Sequence, residues 1–153
     1  MNKCLVIQKM EQGDCEAVWE VEKRCFSTPW SLESIKEALQ YETHQFLIAK
    51  AGEKIVGYMG MIQTFEEADV TNVAVLSEYQ HQGIGQALVK ESLKRAKEAG
   101  IKTVFLEVRE SNSPAIHLYE KFHFVPISIR KNYYKNPLEH AVIMSVDLST
   151  IKE

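Results

Sequence analysis

The sequence predicts a mixed α/β (α+β) domain in which helices cover a single sheet. The chain has 153 residues, of which 45% are hydrophobic and 25% charged, as is typical of one globular domain. Its periodicities give the element order β-α-α-β-β-β-α-β-α-β-β, which contains an early hairpin and lacks a regular βαβ alternation. No repeat, low-complexity tract or linker interrupts residues 1–153, so we expect one domain.

The N-terminal third is expected to form a strand and two helices. The strand covers residues 5–10. Asp14 is expected to cap the first helix and Ser31 the second, and these helices end near Phe26 and Leu39. The first helix is indicated by apolar residues at helical spacing, namely Val18, Val21 and Cys25.

Three strands are expected next. Residues 46–50 and 55–64 form a hairpin around a turn at 51–53, and a fourth strand covers residues 70–75. Gly57 and Gly60 interrupt the second of these strands. Glycines at such positions indicate a bulge or a close backbone approach.

The remaining elements alternate before a final pair of strands. A helix runs from Gly83 to a left-handed stop at Gly100, a strand covers residues 104–108, and a helix starts at Ser113-Pro114. The last two strands, 124–130 and 142–148, flank a loop that contains Tyr133, Tyr134, Asn136 and Pro137.

Charge and cysteine usage exclude several classes of protein. The net charge of −3 lacks the basic excess that nucleic-acid binding requires. Three cysteines crowded into the first 25 residues, with no C-x-x-C pair, indicate free thiols and a reducing compartment. With neither a signal segment nor a membrane span in the sequence, we expect a cytoplasmic protein without membrane or direct nucleic-acid partners.

A glycine loop before the central helix is a candidate anion site. Glycines at positions 83 and 85 of Gln80-His81-Gln82-Gly83-Ile84-Gly85 let backbone N–H groups converge at a helix N-terminus. A plain turn is the alternative. A nicotinamide dinucleotide is disfavoured, because Leu88 stands where its fingerprint needs a small residue.

Two further side chains are candidates for acid–base chemistry. Glu107 interrupts an apolar strand on the face of Phe105, where desolvation would make it a stronger base; a carboxylate at a solvated strand end is the alternative. Tyr119 lies on the apolar face of its helix, where an aromatic residue usually belongs to the core. The five histidines show no metal-ligand spacing, so no metal is expected.

Together, five motifs resemble the GNAT superfamily of acetyl-CoA-dependent N-acyltransferases. Within it the resemblance is to the RimI-type enzymes, which acetylate the N-terminal alanine of a ribosomal protein. The motifs are Asn72-Val73-Ala74-Val75, the loop from Gln80 to Gly85, Leu106-Glu107-Val108-Arg109, Ser111-Asn112 and Leu118-Tyr119-Glu120.

The resemblance implies a fold and a site. The fold is a mostly antiparallel sheet with a splayed pair of parallel strands and about four flanking helices. Glu107 would be the general base and Tyr119 the proton donor to the departing sulfur. Acetyl-CoA, as co-substrate, would contact the strand residues Val73, Ala74 and Val75, the loop residues His81, Gln82, Gly83, Ile84, Gly85 and Gln86, and Asn112.

Three departures from the family pattern bear on this expectation. Phe122-His123-Phe124 replaces Leu-Gly-Phe after the tyrosine helix, although histidine tolerates left-handed backbone better than most residues. Glu139-His140 replaces Glu-Asp, which bears on acceptor recognition. Gln80-His81-Gln82 stands where arginines are common, which predicts weaker cofactor binding.

Several alternatives stay open for the molecule that accepts the acetyl group. The resemblance implies a protein N-terminus, on a small-subunit ribosomal protein. A small-molecule amine or a lysine side chain is the alternative within the same chemistry, and a non-catalytic acetyl-CoA-binding or partner-binding module is the alternative of another class. No oligomeric state is indicated, and a monomer is the working assumption.

Overall fold

The structure, a computed structural model, describes residues 4–150. Within that range the element order is the predicted one. The strands are β1 (Leu5–Lys9), β2 (His44–Ala51), β3 (Lys54–Thr64), β4 (Glu67–Val75), β5 (Thr103–Arg109), β6 (Val125–Lys135) and β7 (Leu138–Asp147). The helices are α1 (Cys15–Cys25), α2 (Leu32–Ala38), α3 (Ile84–Glu98) and α4 (Ser113–Lys121).

One seven-stranded sheet has the order β1-β2-β3-β4-β5-β7-β6. Every neighbouring pair is antiparallel except β4 and β5, which are parallel. The parallel pair is joined by α3, as a crossover between parallel strands requires. The predicted mixed fold, mostly antiparallel with four helices, is therefore confirmed.

The helices α1 and α3 cover opposite faces of the sheet. The Tyr58 hydroxyl reaches Glu22 of α1, whereas a Cβ on the adjacent Gly57 would lie 3.4 Å from Leu88 of α3. Successive residues of a strand point to opposite faces. The hydrophobic core therefore has two layers, one on each side of β3 and β4.

Gly60 is required by a close approach inside the sheet. A Cβ there would lie 2.6 Å from the Phe46 ring and 2.7 Å from the Thr71 hydroxyl. The register of β3 against β4 shifts between Gly60 and Met61, which is a bulge. The predicted bulge is therefore confirmed at Gly60, and the predicted close backbone approach is found at Gly57, where a Cβ would lie 2.8 Å from the Ala74 carbonyl oxygen.

The helix starts were only partly predicted. Ser31 caps α2, and its hydroxyl accepts the Ser34 N–H at 3.1 Å. Asp14 stands at the start of α1 but makes no cap bond to it. Its carboxylate instead accepts the Glu11 N–H at 2.9 Å, because residues 12–14 form a 3-10 turn. The predicted Asp14 cap is therefore wrong.

The expected loop between the last two strands is also wrong. β6 continues to Lys135, and β7 starts at Leu138, so Tyr133 and Tyr134 lie on a strand. A tight turn at Asn136-Pro137, with a cis peptide bond, joins the strands. Irregular register between Arg130 and Tyr134 breaks the alternation by which the strand would have been predicted.

Candidate functional site

The parallel strands β4 and β5 separate part of the way along. Within residues 4–150 they pair only from Glu67 with Thr103 to Asp69 with Phe105, although β4 continues to Val75 and β5 to Arg109. We call residues 70–75 the open half of β4. On its other edge this segment remains paired with β3, so one row of main-chain groups faces the gap.

The glycine loop lies directly beyond the open half of β4. His81 and Gly83 both have left-handed backbone, with φ of 64° and 82°, and Gly83 is the residue at the start of α3. The Gln80 amide donates to the Val75 carbonyl at 3.2 Å. Strand and loop are thus joined, and the predicted cofactor residues 73–75 and 81–86 are neighbours in space.

The start of α3 has the electrostatics of an anion site. A helix N-terminus carries unsatisfied N–H groups and about half a positive charge. The first turn of α3 contains no acidic residue, so nothing in it offsets that charge. A Cβ on Gly85 would be 3.5 Å from Leu118 of α4, which places α4 against the same end of α3.

Asn112 lies at the opposite wall, where β5 turns into α4. Its side-chain oxygen accepts the Ala115 N–H at 3.2 Å and so caps α4. The side-chain oxygen therefore has a partner within the helix, which leaves the amide N–H groups as the donors that Asn112 could offer a ligand. The predicted cofactor contact by Asn112 remains a prediction.

Glu107 lies on β5 beside the gap, but its surroundings differ from the prediction. The side chain is 33% exposed, and its carboxylate is 3.4 Å from the Arg130 guanidinium. The desolvated setting expected from its position beside Phe105 is therefore wrong. Glu107 does share the face of Phe105, as predicted, but this is the less buried face of β5, and it borders β6 through Arg130. The alternative of a solvated carboxylate describes Glu107 better.

Two tyrosines of β6 surround Glu107, and sequence reasoning missed both of them. Burial and the Glu107 carboxylate raise the pKa of Tyr133. Burial first and Glu107 second raise the pKa of Tyr134 to about 12. The Arg109 guanidinium also lies over the Tyr134 ring, 4.3 Å from its centroid. They were missed because residues 131–135 were expected to form a loop and not the end of a strand beside β7.

Tyr119 is buried in α4 close to this group. Burial first, and the neighbouring Tyr134 second, raise the pKa of Tyr119 well above its usual range. Its hydroxyl is therefore fully protonated at neutral pH. Tyr134 contributes to the raised pKa of Tyr119, and Glu107 contributes to the raised pKa of Tyr134, so Tyr134 is a neighbour of both predicted catalytic residues.

The C-terminal end of α4 has the left-handed turn that the sequence left in question. His123 has φ of 71°. The Phe124 N–H donates to the Tyr119 carbonyl at 3.2 Å and the His123 N–H to the Glu120 carbonyl at 3.0 Å, which is a Schellman motif. The expectation that histidine would preserve this turn is confirmed.

The β6–β7 hairpin is fastened to the turn before α4. The Glu139 carboxylate accepts the Ser111 N–H at 2.6 Å and lies 3.3 Å from Arg109. These contacts, the Ser111 bonds foremost, lower the pKa of Glu139. The neighbouring His140 accepts the Asn132 N–H through Nδ1 at 2.9 Å. The residues at the Glu139-His140 departure therefore hold the hairpin in shape.

The open grooves of the surface lie away from the predicted catalytic and cofactor-binding residues. Three grooves of about 430 to 540 Å³ lie elsewhere, beside α1 and α2 and below β2, and none of the predicted site residues lines any of the three. Within residues 4–150, no group of three His, Cys, Asp or Glu side chains is arranged to hold a metal ion, and no helix is both long and apolar enough to cross a bilayer.

A splayed parallel pair beside a glycine loop at a helix N-terminus defines the class of protein. The sequence pattern of the acetyltransferase (GNAT) family matches residues 15–124. The chain belongs to the acetyltransferase (GNAT) family, whose members use acetyl-CoA.

Particular members of the family are similar over nearly the whole chain. The [ribosomal protein bS18]-alanine N-acetyltransferase of Haemophilus influenzae is 38% identical over 143 residues, which cover 92% of this chain and 97% of the relative. The Escherichia coli (strain K12) enzyme of the same name is 33% identical over 145 residues, covering 94% and 97%.

A solved structure gives the same result. The crystal structure of the ribosomal-protein-S18-alanine N-acetyltransferase from Escherichia coli superimposes with a TM-score of 0.89 at 32% identity, and the match covers 98% of this chain and 97% of that one. The predicted family resemblance and the splayed-strand fold are both confirmed.

Proposed function

We propose that this protein transfers the acetyl group of acetyl-CoA to the N-terminal α-amine of a protein, an N-terminal alanine of a small-subunit ribosomal protein. The similarity to enzymes named for bS18-alanine acetylation, over at least 92% of the chain, is the observation that carries the acceptor. The residues around the gap between β4 and β5 supply a chemical account.

In this proposal, acetyl-CoA lies in the gap between β4 and β5. The open half of β4 offers main-chain groups at Val73, Ala74 and Val75 to the amides of the pantetheine arm, as an added strand would. The backbone of residues 81–86 binds the pyrophosphate at the start of α3. The nitrogen of the Asn112 amide contributes from the other side.

The reaction needs no covalent enzyme intermediate, because a thioester is already activated. The neutral amine attacks the thioester carbonyl, a C–N bond forms and the C–S bond breaks. Glu107 receives the proton that the attacking nitrogen loses. Tyr119 gives its proton to the departing thiolate, which has an acidity near that of a cysteine thiol, about 8.5.

The environment of Tyr119 suits a proton donor that remains deprotonated only for a short time. Burial keeps its hydroxyl protonated before the reaction, and it equally makes the tyrosinate unfavourable afterwards. The proton must therefore return quickly, so that the hydroxyl is restored before the next turnover.

An α-amine is the acceptor that the chemistry favours. Its pKa of about 7.7 to 8.0 leaves part of it neutral at physiological pH, whereas deprotonating a lysine, with a pKa of about 10.4, costs about 3.5 kcal/mol more. The Glu107 carboxylate is partly exposed, and in this proposal it accepts the proton of an amine whose neutral form is already present in part at physiological pH.

The test is acetylation of basic peptides that begin with alanine. Purified protein is incubated with acetyl-CoA, free thiol is measured, and the added acetyl group is located by mass spectrometry. Acetylation at the α-amine, abolished when that amine is blocked, is the expected result. Transfer to lysine or to small amines in competition would move the proposal to the alternative acceptors, and saturable binding without turnover would indicate a binding module.

A further inference from the structure

Glu22 carries a buried carboxyl group that the reaction proposed above does not use. The residue is 1% exposed and lies on the core-facing side of α1 with Val18 and Val21. A buried charged or polar group is costly unless hydrogen bonds satisfy it. The donors that surround Glu22 therefore indicate which parts of the chain it holds in place.

Three donors from three other segments reach this carboxyl group. Oε2 accepts the main-chain N–H of Trp30, in the segment between α1 and α2, at 2.9 Å. Oε1 accepts the hydroxyl of Tyr58 on β3 and the side-chain amide N–H of Asn72 at 3.3 Å. Asn72 is buried and belongs to the open half of β4. Glu22 thus joins α1 to the strand that borders the gap.

Asn72 lies just beyond the point at which β4 leaves β5. The last residue of β4 that pairs with β5 is Asp69. The register of β4 against β3 then skips Thr71, because Val70 and Asn72 lie opposite consecutive residues of β3. A bulge of this kind bends the strand that carries it. The bend therefore lies where the gap begins, and the contact with Glu22 holds the strand directly after it.

A second side chain of α1 holds the far end of the open half. The Cys25 thiol lies 3.5 Å from the Val75 carbonyl oxygen. Cys25 follows Glu22 by three residues, and residues at this spacing are neighbours on a helix surface. The open half of β4 is therefore fastened to α1 near both of its ends, whereas within residues 4–150 its edge toward β5 has no strand partner.

We infer that Glu22 is a positioning residue for acetyl-CoA: by holding Asn72, it keeps the open half of β4 bent away from β5, so that the gap is formed before the pantetheine arm binds. The inference rests on the proposed function, which places this arm along residues 73–75 and the pyrophosphate at the start of α3. None of the three donors to Glu22 belongs to residues 80–86 or to α3. Glu22 therefore supports binding of the arm and not of the pyrophosphate.

Four variants separate this role from general stability. Glu22→Met removes both acceptor oxygens. Asn72→Ala removes only the contact with the strand, so it tests the inference even if E22M does not fold. Glu22→Gln is the rescuing variant: its oxygen can accept the Trp30 N–H, and its amide can donate to the Asn72 side-chain oxygen, which is buried without a hydrogen-bond partner within residues 4–150, once the Asn72 amide rotates. Tyr58→Phe is the matched control, because it takes a hydrogen bond from the same carboxyl group but leaves the contact with β4.

Binding is measured by calorimetry with acetyl-CoA and with ADP, which carries a pyrophosphate but no pantetheine arm. The dissociation constant of acetyl-CoA is expected to rise about tenfold in E22M and N72A, as the loss of a hydrogen bond to a charged group allows, while that of ADP stays within about twofold. E22Q and Y58F should remain within about twofold of the wild type for both ligands. In the free protein, amide exchange over residues 70–76 should accelerate in E22M and N72A, and exchange over residues 84–98 should not.

Equal losses of acetyl-CoA and ADP affinity, or a loss in Y58F as large as in N72A, would reduce Glu22 to a residue of general stability and overturn the inference. Unchanged acetyl-CoA affinity in E22M and N72A would overturn it as well, and so would exchange that accelerates equally over residues 84–98. A wild-type protein that binds acetyl-CoA but acetylates no α-amine peptide would instead refute the proposed function, so the two failures are separable.

Discussion

Replacing His123 by glycine is expected to stabilise the protein. His123 has left-handed backbone at φ 71°, which costs an L-residue about 1 to 2 kcal/mol relative to right-handed backbone. Glycine adopts this conformation freely but loses about 0.5 to 1 kcal/mol more conformational entropy on folding. The difference is a gain of about 0.5 to 1 kcal/mol.

The structure gives no offsetting loss. The His123 side chain is exposed, and the two hydrogen bonds of the turn involve main-chain atoms only. The edge-on contact between the Tyr119 and Phe124 rings, 5.6 Å between centroids, links the two ends of the motif and is unaffected. Turnover should therefore stay unchanged.

The measurement is thermal and urea unfolding of His123→Gly beside His117→Gly. A gain of this size raises the Tm of a domain of this length by about 1 to 4 °C. His117 is an exposed interior residue of the same helix, where the same substitution should cost a few tenths of a kcal/mol, about 0.3 to 0.5. A Tm for H123G at or below that of H117G would refute the argument from the left-handed turn.

Three further outcomes test the site and the core. Tyr119→Phe should lower turnover about a hundredfold and leave acetyl-CoA affinity nearly unchanged, as measured by steady-state kinetics and calorimetry; full turnover would remove its assigned role. Glu107→Gln should move the rate profile to higher pH, because more of the amine must then lose its proton to solvent; an unchanged profile contradicts the base assignment. Burial raises the pKa of the Tyr58 hydroxyl. The protonated hydroxyl therefore contributes fully to the free energy of unfolding below the unfolded pKa of about 10, and this contribution is lost as the pH rises above that value. Tyr58→Phe should flatten the alkaline loss of stability in unfolding titrations, and an equally steep loss in the variant would contradict this role of Tyr58.

The element order was predictable because most helices and strands here have regular apolar spacing. The Asn136-Pro137 turn was not, since irregular register in β6 removed the alternation that identifies a strand. The local pattern also predicted the wrong hydrogen bond for Asp14. Its carboxylate accepts an N–H of the 3-10 turn that precedes α1 and does not cap the helix.

The parts of the candidate site that are defined by main chain or by a local motif could be predicted from the sequence. The parts that are defined by tertiary contacts could not. The glycine loop follows from residues adjacent in sequence, and it formed as expected. Glu107 was expected to be buried because the sequence does not show which residues flank β5; Arg130 comes from β6, and the Glu107 carboxylate remains partly exposed. Glu22 stands at helical spacing from Val18, and a charged residue in such a row was the available signal for it.

The open half of β4 has a consequence for how this chain can vary. Side chains of a strand project above and below the sheet, whereas its N–H and C=O groups lie in the plane, toward the gap. Any residue except proline presents the same groups there. If acetyl-CoA binds these main-chain groups as proposed, Val73 and Val75 can be replaced by any residue that packs equally well. Glu107 and Tyr119, whose proposed chemistry resides in their side chains, cannot be replaced in this way.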